Sequence, residues 1–390
     1  MIPGLPIQLT TDHGPRTPKS AYIHVPFCRH RCGYCNFTLV AGRDDLVAAY
    51  LQALESELSL LGEPREVDTL FFGGGTPTHL PEDRLDRLFS LVGRWLPLAA
   101  GGELSVEANP IDLDAAKARV LARAGVTRVS LGAQSFRTEK LGLLERDHDA
   151  QQIGVAVELA RTFASSVSLD LIFGVPGETL AEWQTDLSAA LALAPDHLST
   201  YGLTFEKGTA FWSRLSRGDL NRLDENLEGQ MYEAAIDRLT AAGFEHYEVS
   251  NFARPTHRCR HNETYWLGGS YHAFGPGASR YVAGRRETNH RSTTTYIQRM
   301  LSGQSAVAES EQLGAENAAR ERLVFALRRL EGIDLDEFAA RTGYTVVNLA
   351  GDALQRFLDL KLLAVTDNCL HLSRLGLLVS DSIWPYFLRA

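Results

Sequence analysis

Three cysteines, Cys28, Cys32 and Cys35, fall within eight residues at the spacing C-x3-C-x2-C. Three thiolates on one loop can hold three corners of an iron–sulfur cubane, leaving the fourth iron open to a substrate or cofactor. Two other chemistries use the same residue types. Zinc would take the three sulfurs with His24 or His30 as fourth ligand. Cys32-Gly-Tyr-Cys35 alone has the spacing of a dithiol redox pair. Neither accounts for Cys28 together with a second feature, the run Gly73-Gly74-Gly75-Thr76-Pro77. Glycines let a backbone approach a ligand closely and present its N–H groups. This run is neither a P-loop, lacking Gly-Lys-Ser/Thr, nor the spaced dinucleotide fingerprint. The other two cysteines, Cys259 and Cys369, stand alone, and an odd, clustered count of five does not suit a secreted disulfide framework.

The elements that must position these residues read as a repeat of strand then helix. Strands are expected at Ser20–Val25, Val67–Phe72, Glu103–Ala108, Thr127–Leu131, Val167–Phe173 and His197–Leu203, with a further one at His246–Ser250. Helices are expected over about 44–61, 82–95, 112–124, up to 161, 178–193 and 222–242, where apolar residues recur at three and four. At least six such units in a row argue for an α/β fold with a parallel sheet and helical crossovers. Cys28, Gly73–Thr76, Glu107, Gln134 and Asp170 all sit near the C-terminal ends of strands. One mouth of a barrel collects residues from many strands, which favours a partial (β/α) barrel over a doubly wound open sheet.

The expected organisation is a flexible arm at 1–19 and the barrel at 20–250. An irregular, glycine-rich and aromatic segment at 251–308 would fold over the barrel mouth. A small, mainly helical α+β domain would fill 309–390, with short strands around His371. A length of 390 residues suits that count, at roughly 100–200 per domain.

Composition narrows the function classes. The net charge is −9, from 39 basic and 48 acidic residues, so nucleic acid and anionic membrane are disfavoured partners. No apolar run approaches the ~18–20 residues of a membrane span, and the N-terminus has no signal-peptide pattern. A cytoplasmic protein without a transmembrane segment is expected.

Tyr22-Ile-His24-Val-Pro-Phe-Cys28, the cysteine loop with Tyr34 before its last thiol, and the Gly-Gly-Gly-Thr-Pro run resemble the radical S-adenosylmethionine (SAM) superfamily. Within it, the chain resembles the coproporphyrinogen oxidase-like branch, through Glu107-Ala-Asn-Pro110, Gly132-Ala-Gln134-Ser135, Asp170–Pro176 and His246–Phe252. The resemblance is dense over about 20–285 and loose in the tail. It implies a 4Fe-4S cluster on Cys28, Cys32 and Cys35 and SAM on the free iron. Gly74, Gly75 and Thr76 would contact the SAM amino-acid portion. Glu107, Gln134, Arg146 and Asp170 would meet its charged groups or ribose, and Tyr22 and Tyr34 would pack near cluster and adenine. Structural roles compete for two of these: Asp170 as a strand-end cap and Arg146 as a solvated helix residue. A flavodoxin or ferredoxin would supply the electron. No catalytic residue is assigned.

Two functions occur in that branch, oxygen-independent coproporphyrinogen III oxidation and haem delivery by a chaperone. The oxidase carries a further cysteine two residues after the third and a longer stretch before the cluster. Here that position is Phe37 and Cys28 comes early. His261-Asn-Glu-Thr-Tyr265-Trp266 resembles a segment of the haem chaperones. A histidine beside two amphipathic aromatics could ligate or stack a porphyrin. A packed aromatic loop with a hydrogen-bonded histidine explains the same residues. Cys259 as an axial thiolate, against small apolar filler, and His272, where the resemblance calls for glycine, complete the haem candidates. The expectation is a haem chaperone binding cluster, SAM and haem, with haem across the mouth near 259–275 and the tail against a haem-receiving client. The oxidase is the alternative, and a zinc-binding interaction module is the third.

Overall fold

The computed structural model describes residues 17–388, so the expected arm falls, up to residue 16, outside the described residues. Nine strands form the main sheet. In chain order they are β1 (Ser20–Val25), β2 (Val67–Gly74), β3 (Leu98–Ala108), β4 (Arg128–Gln134), β5 (Ser166–Phe173), β6 (His197–Gly202), β7 (Glu245–Glu248), β8 (Asn251–Ala253) and β9 (His272–Phe274). Their spatial order is β9-β1-β2-β3-β4-β5-β6-β8-β7. Pairing is parallel from β9 through β6, and β8 is antiparallel to both β6 and β7. The edges β9 and β7 are not paired to each other, so this is a partial rather than a closed barrel.

Alternation along the strands decides what faces where. On β5, Val167, Leu169 and Leu171 are fully buried against the crossover helices, while Ser168 and Asp170 face inward. The helices are α1 (Val47–Ser59), α2 (Glu82–Trp95), α3 (Ala115–Ala124), α4 (Ala150–Arg161), α5 (Leu180–Ala192) and α6 (Glu225–Ala241). In α2 the residues Leu85, Leu88, Phe89 and Val92 give one apolar stripe, and Glu82 and Asp83 place negative charge at its first turn. Asp149 with Gln152 starts α4, and Thr179 with Glu182 starts α5, each as a reciprocal capping box.

The segment 251–308 corrects the expectation of irregular chain. It supplies β8 and β9 to the main sheet, a helix α7 (Arg260–Trp266), a hairpin of Ser279–Val282 with Arg285–Asn289, and a helix at Thr293–Leu301. Val307–Gln312 pairs with that hairpin, so the strand runs across the expected boundary at 309. These strands have three to six residues and too little alternation to read in advance. The expected strand at 246–250 ends at Glu248, where a turn leads into the antiparallel β8, and a helix at Ala210–Arg217 was not anticipated. Beyond 312 the chain forms helices with a three-stranded sheet of Ile333–Asp334, Leu363–Thr366 and Cys369–Leu372.

The position of α7 also differs from expectation. The Glu103 carboxylate, near the start of β3's sheet pairing, accepts the backbone N–H groups of Arg260 (3.2 Å) and His261 (3.0 Å) at the first turn of α7. A carboxylate is favourable at a helix N-terminus. The helix therefore closes the N-terminal end of the barrel, opposite the mouth where the strand C-termini gather. Among the described residues, no helix is long and apolar enough to cross a membrane.

Candidate cofactor cavity and aromatic cleft

Strand register brings the C-terminal ends of β1 to β6 around one cavity of about 700 Å³. Its walls include Cys28, Cys32, Cys35, Tyr34, Gly74, Gly75, Thr76, Glu107, Gln134, Arg146 and Asp170. The three thiols are unpaired. The Cys35 N–H bonds the Cys32 carbonyl at 3.0 Å, so the loop turns back on itself and aims all three sulfurs at the cavity. Cys28 Sγ lies 3.4 Å from Thr76 Oγ1, and the Arg146 guanidinium donates to Cys32 Sγ at 3.6 Å. Burial pushes the Cys28 thiol up to about 12, against the opposing Thr76 hydrogen bond.

The glycine run is shaped as much by its protein neighbours as by any ligand. A Cβ at Gly74 would lie 2.3 Å from the His24 ring, where φ is +104°, and one at Gly75 would lie 2.7 Å from the Val25 and Phe27 carbonyls. The Gly74 N–H is already used: it donates to Glu107 at 2.9 Å. Burial pushes the Glu107 carboxyl up to about 7, with the Gly74 bond opposing and the nearby Asp170 adding to the rise.

Arg146 is not a solvated helix residue. It is held by Gly132 O at 3.1 Å and by Asn109 Oδ1, and its Nε is buried with no partner. Asp170 accepts from Ser130 Oγ at 3.0 Å and is raised by burial. Gln134 ends β4 with φ +62°, a strained backbone for a non-glycine residue and one found at functional sites. Tyr22 departs from expectation. Its ring is paired in register with Phe71, one layer beneath Gly73 and His24, and its hydroxyl is 3.1 Å from His24 Nδ1. It does not line the cavity.

Zinc does not suit this donor set. His24 Nε2 is bonded to Thr38 O at 2.6 Å and its Nδ1 faces Tyr22, while His30 Nε2 is bonded to Glu145 O at 2.5 Å. Among the described residues, no three His, Cys, Asp or Glu side chains converge on a single-ion site, which needs sulfurs about 2.3 Å from the metal. The three thiols line one cavity, as the three cysteine ligands of a 4Fe-4S cluster must. The unpartnered Arg146 Nε and the cavity-facing Glu107 carboxyl suit the carboxylate and ammonium of an amino acid such as SAM.

The haem candidates lie elsewhere. His261 is 1% exposed, with Nδ1 2.9 Å from Thr69 Oγ1 and Nε2 2.8 Å from the Tyr265 hydroxyl. Cys259 is buried against Glu103. Neither is open to a haem in this structure, and neither is at the mouth. Burial pulls the His261 imidazole down to about 3, so it is neutral. His272 lies on β9, reaches neither cavity, and has a buried Nε2 without a partner.

Tyr265 and Trp266 do line a second space. A cleft of about 460 Å³ opens between α7, the hairpin and the helix Ala315–Leu327 of the C-terminal part. Its aromatic walls are Tyr265, Trp266, Tyr271, Tyr281 and Phe325, and its edges carry Arg286, Arg322 and Arg341. Arg286 is paired with Glu311 and Glu321, and Arg341 with Glu337. Arg322 bonds only the Leu267 and Gly268 carbonyls and forms no ion pair among the described residues. Sequence reasoning missed Asn109, Tyr201, Arg322 and Asp381. Asp381, from the last helix, lines the upper cavity. Inward parity on β6 could have found Tyr201; nothing local marks the other three.

Comparison with known proteins agrees with this geometry. The model of the radical SAM superfamily matches residues 22–190, and that of the HemN C-terminal domain matches 313–379. The structure of coproporphyrinogen III oxidase (HemN) from Escherichia coli, a radical SAM enzyme, superposes with a TM-score of 0.85 at 23% identity, covering 98% of this chain and 92% of that one. Fold and site thus define a radical SAM protein. The chain is 34% identical to the heme chaperone HemW of Bacillus subtilis over 95% of its own length and 99% of that protein's. It is 37% identical to the heme chaperone HemW of Escherichia coli over 84% and 86%. The chain belongs to the HemW family.

Proposed function

We propose that this protein is a haem chaperone that binds haem, hands it to client proteins, and holds a 4Fe-4S cluster and SAM in a separate cavity. The observation that carries this reading is the separation of the two spaces. The aromatic cleft adjoins α7 at the Thr69 end of the barrel, and the thiols adjoin the Gly74 end. Five residues of strand, roughly 16 Å, lie between those ends. A porphyrin in the cleft is out of reach of chemistry started at the thiols, as cargo would be and an oxidase substrate would not. Phe37, standing where the oxidase has a further cysteine, points the same way.

In the upper cavity, Cys28, Cys32 and Cys35 would hold the cluster, which when bound supplies an electron for reductive cleavage of SAM. The Thr76 hydroxyl lies against Cys28 and would donate to its thiolate, and Arg146 sets a positive charge against Cys32. Glu107 would take the SAM ammonium, the free Nε of Arg146 its carboxylate, and Asp170 its ribose. In the cleft, Trp266 and Tyr281 would stack on the porphyrin, and Arg322 would meet a propionate by a charge-assisted bond. The unpaired cysteines suit a reducing compartment, and the cytoplasm is the proposed location.

Haem titration and coproporphyrinogen turnover, run on the same anaerobically reconstituted sample, test the reading. Stoichiometric haem binding without turnover is expected. Sustained decarboxylation of coproporphyrinogen would make the protein an oxidase.

A further inference from the structure

Three charged side chains lie inside the protein and outside both cavities. Lys140, on the short helix Thr138–Leu143, has a side chain 1% exposed, and those of Glu178 and Asp186 are 0% exposed. The Lys140 Nζ donates to Glu178 Oε1 at 2.5 Å and to Asp186 Oδ2 at 3.0 Å, and stands 5.1 Å from the centre of the Trp183 ring. None of the three lines the upper cavity or the cleft. Stability alone is a weak reason for such a cluster, because desolvation offsets much of the attraction between buried charges.

What the carboxylates grip supplies another reason. Gln134 is the central residue of a γ-turn: the Ser135 N–H donates to Ala133 O at 2.7 Å, and Gln134 has φ +62°. Turns of this hand are rare and strained. Such strain persists only where the surrounding contacts over-determine the backbone. Just after the turn, Ser135 Oγ donates to Asp186 Oδ2 at 2.7 Å and the Phe136 N–H donates to Asp186 Oδ1 at 2.8 Å. Just before it, Arg146 holds Gly132 O, and His148 Nε2 lies 2.9 Å from Ala133 O. Glu178 grips the end of the next strand in the same way. It accepts the N–H groups of Gly174 (2.9 Å) and Val175 (3.2 Å), where the chain leaves β5. Lys140 joins the two carboxylates, so the ends of β4 and β5, neighbouring walls of the upper cavity, are tied to one ammonium.

We propose that Asp186 and Lys140 are positioning residues for the upper cavity: they hold Gln134 in its strained turn, so that its side chain is presented to SAM. Without the Asp186 acceptors the turn relaxes toward unstrained backbone and carries Gln134 away from the wall. Without Lys140 the two buried carboxylates face each other uncompensated, and Asp186 no longer keeps its grip. This inference rests on the SAM reading above and adds what holds one wall of that cavity in place.

The test uses the full chain, anaerobically reconstituted, with SAM affinity read by isothermal titration. Asp186→Ala removes the anchors of the turn and leaves Lys140 balanced against Glu178. Lys140→Met removes the cation instead. Each should weaken SAM binding about tenfold at native iron content, and Gln134→Ala should weaken it by about as much. The double variant Asp186→Ala/Gln134→Ala should bind no more weakly than Gln134→Ala alone, because Asp186 acts through that side chain; a general loss of structure would add to it. Amide hydrogen exchange on the iron-free chain gives a second reading. Segment 133–137 should exchange faster in Asp186→Ala, while the thiol loop keeps its native protection. Native SAM affinity in Asp186→Ala, additive losses in the double variant, or unchanged exchange at 133–137 would each overturn the proposal. Should Lys140→Met not fold, Asp186→Ala decides alone. If the native, iron-loaded chain binds no SAM, the SAM reading fails, and the exchange arm still judges whether Asp186 holds the turn.

Discussion

The Gly74 N–H donates to the Glu107 carboxylate at 2.9 Å, joining the glycine run of one strand to the acid that ends the next. This bond fixes the rim of the upper cavity and leaves the second face of the carboxylate open to a ligand. Burial, which this bond opposes, raises the Glu107 carboxyl to about 7.

Glu107 should give SAM binding a pH dependence. Its carboxyl is raised to about 7, so at pH 6 most of it is protonated and cannot pair with an ammonium. The ionised form is the one that binds, hence affinity should rise between pH 6 and 8 by up to about tenfold. Glu107→Gln should bind weakly and flatten the profile. Isothermal titration across that range reads the effect, and an unchanged profile in the variant would remove Glu107 from the site.

Gly74→Ala should cost stability as well as function. The methyl would meet the His24 ring at 2.3 Å, on a backbone with φ +104°. Overpacking and backbone strain each cost about 1–3 kcal/mol, so a loss of roughly 2–6 kcal/mol is expected in urea unfolding.

The two cavities should be separable. Cys28→Ala should abolish iron loading, read as iron per chain after anaerobic reconstitution, and leave haem affinity within about twofold. Arg322→Ala should do the reverse: native iron, and haem held some tenfold more weakly, the scale of one charge-assisted hydrogen bond. Coupled losses would join the sites.

His261→Ala should act on the fold rather than on haem directly. Both ring nitrogens are engaged, with Thr69 and Tyr265, and removal leaves a buried hydroxyl without its partner. A destabilisation of about 1–3 kcal/mol is expected by denaturant unfolding. A stable variant that has lost haem entirely would return His261 to the ligand set.

What the sequence revealed and concealed follows from range. The cysteine loop is local, so its spacing marked it as a metal or redox site, while the choice of cluster over zinc came from the glycine run and the family resemblance. Glu107, Gln134 and Asp170 were legible because strand ends in a β/α repeat share one mouth. Arg146 was ambiguous in sequence, since its partners Asn109 and Gly132 come from other elements. For His261 the sequence left porphyrin ligation and hydrogen-bonded packing both open, and the folded chain packs it. The bond from Glu103, some 158 residues earlier, that draws it into the barrel leaves no local trace. Trp266 and Phe325 meet across 6.4 Å from separate parts of the chain, so the cleft they share was invisible until the chain was folded.

Anomalous scattering at the iron edge, from crystals grown without air in the presence of haem, tests the whole account most directly. The account predicts a strong peak among Cys28, Cys32 and Cys35 and a second, single-iron peak in the cleft bounded by Trp266 and Arg322. A haem iron found in the upper cavity beside Glu107, with the cleft empty, would contradict it.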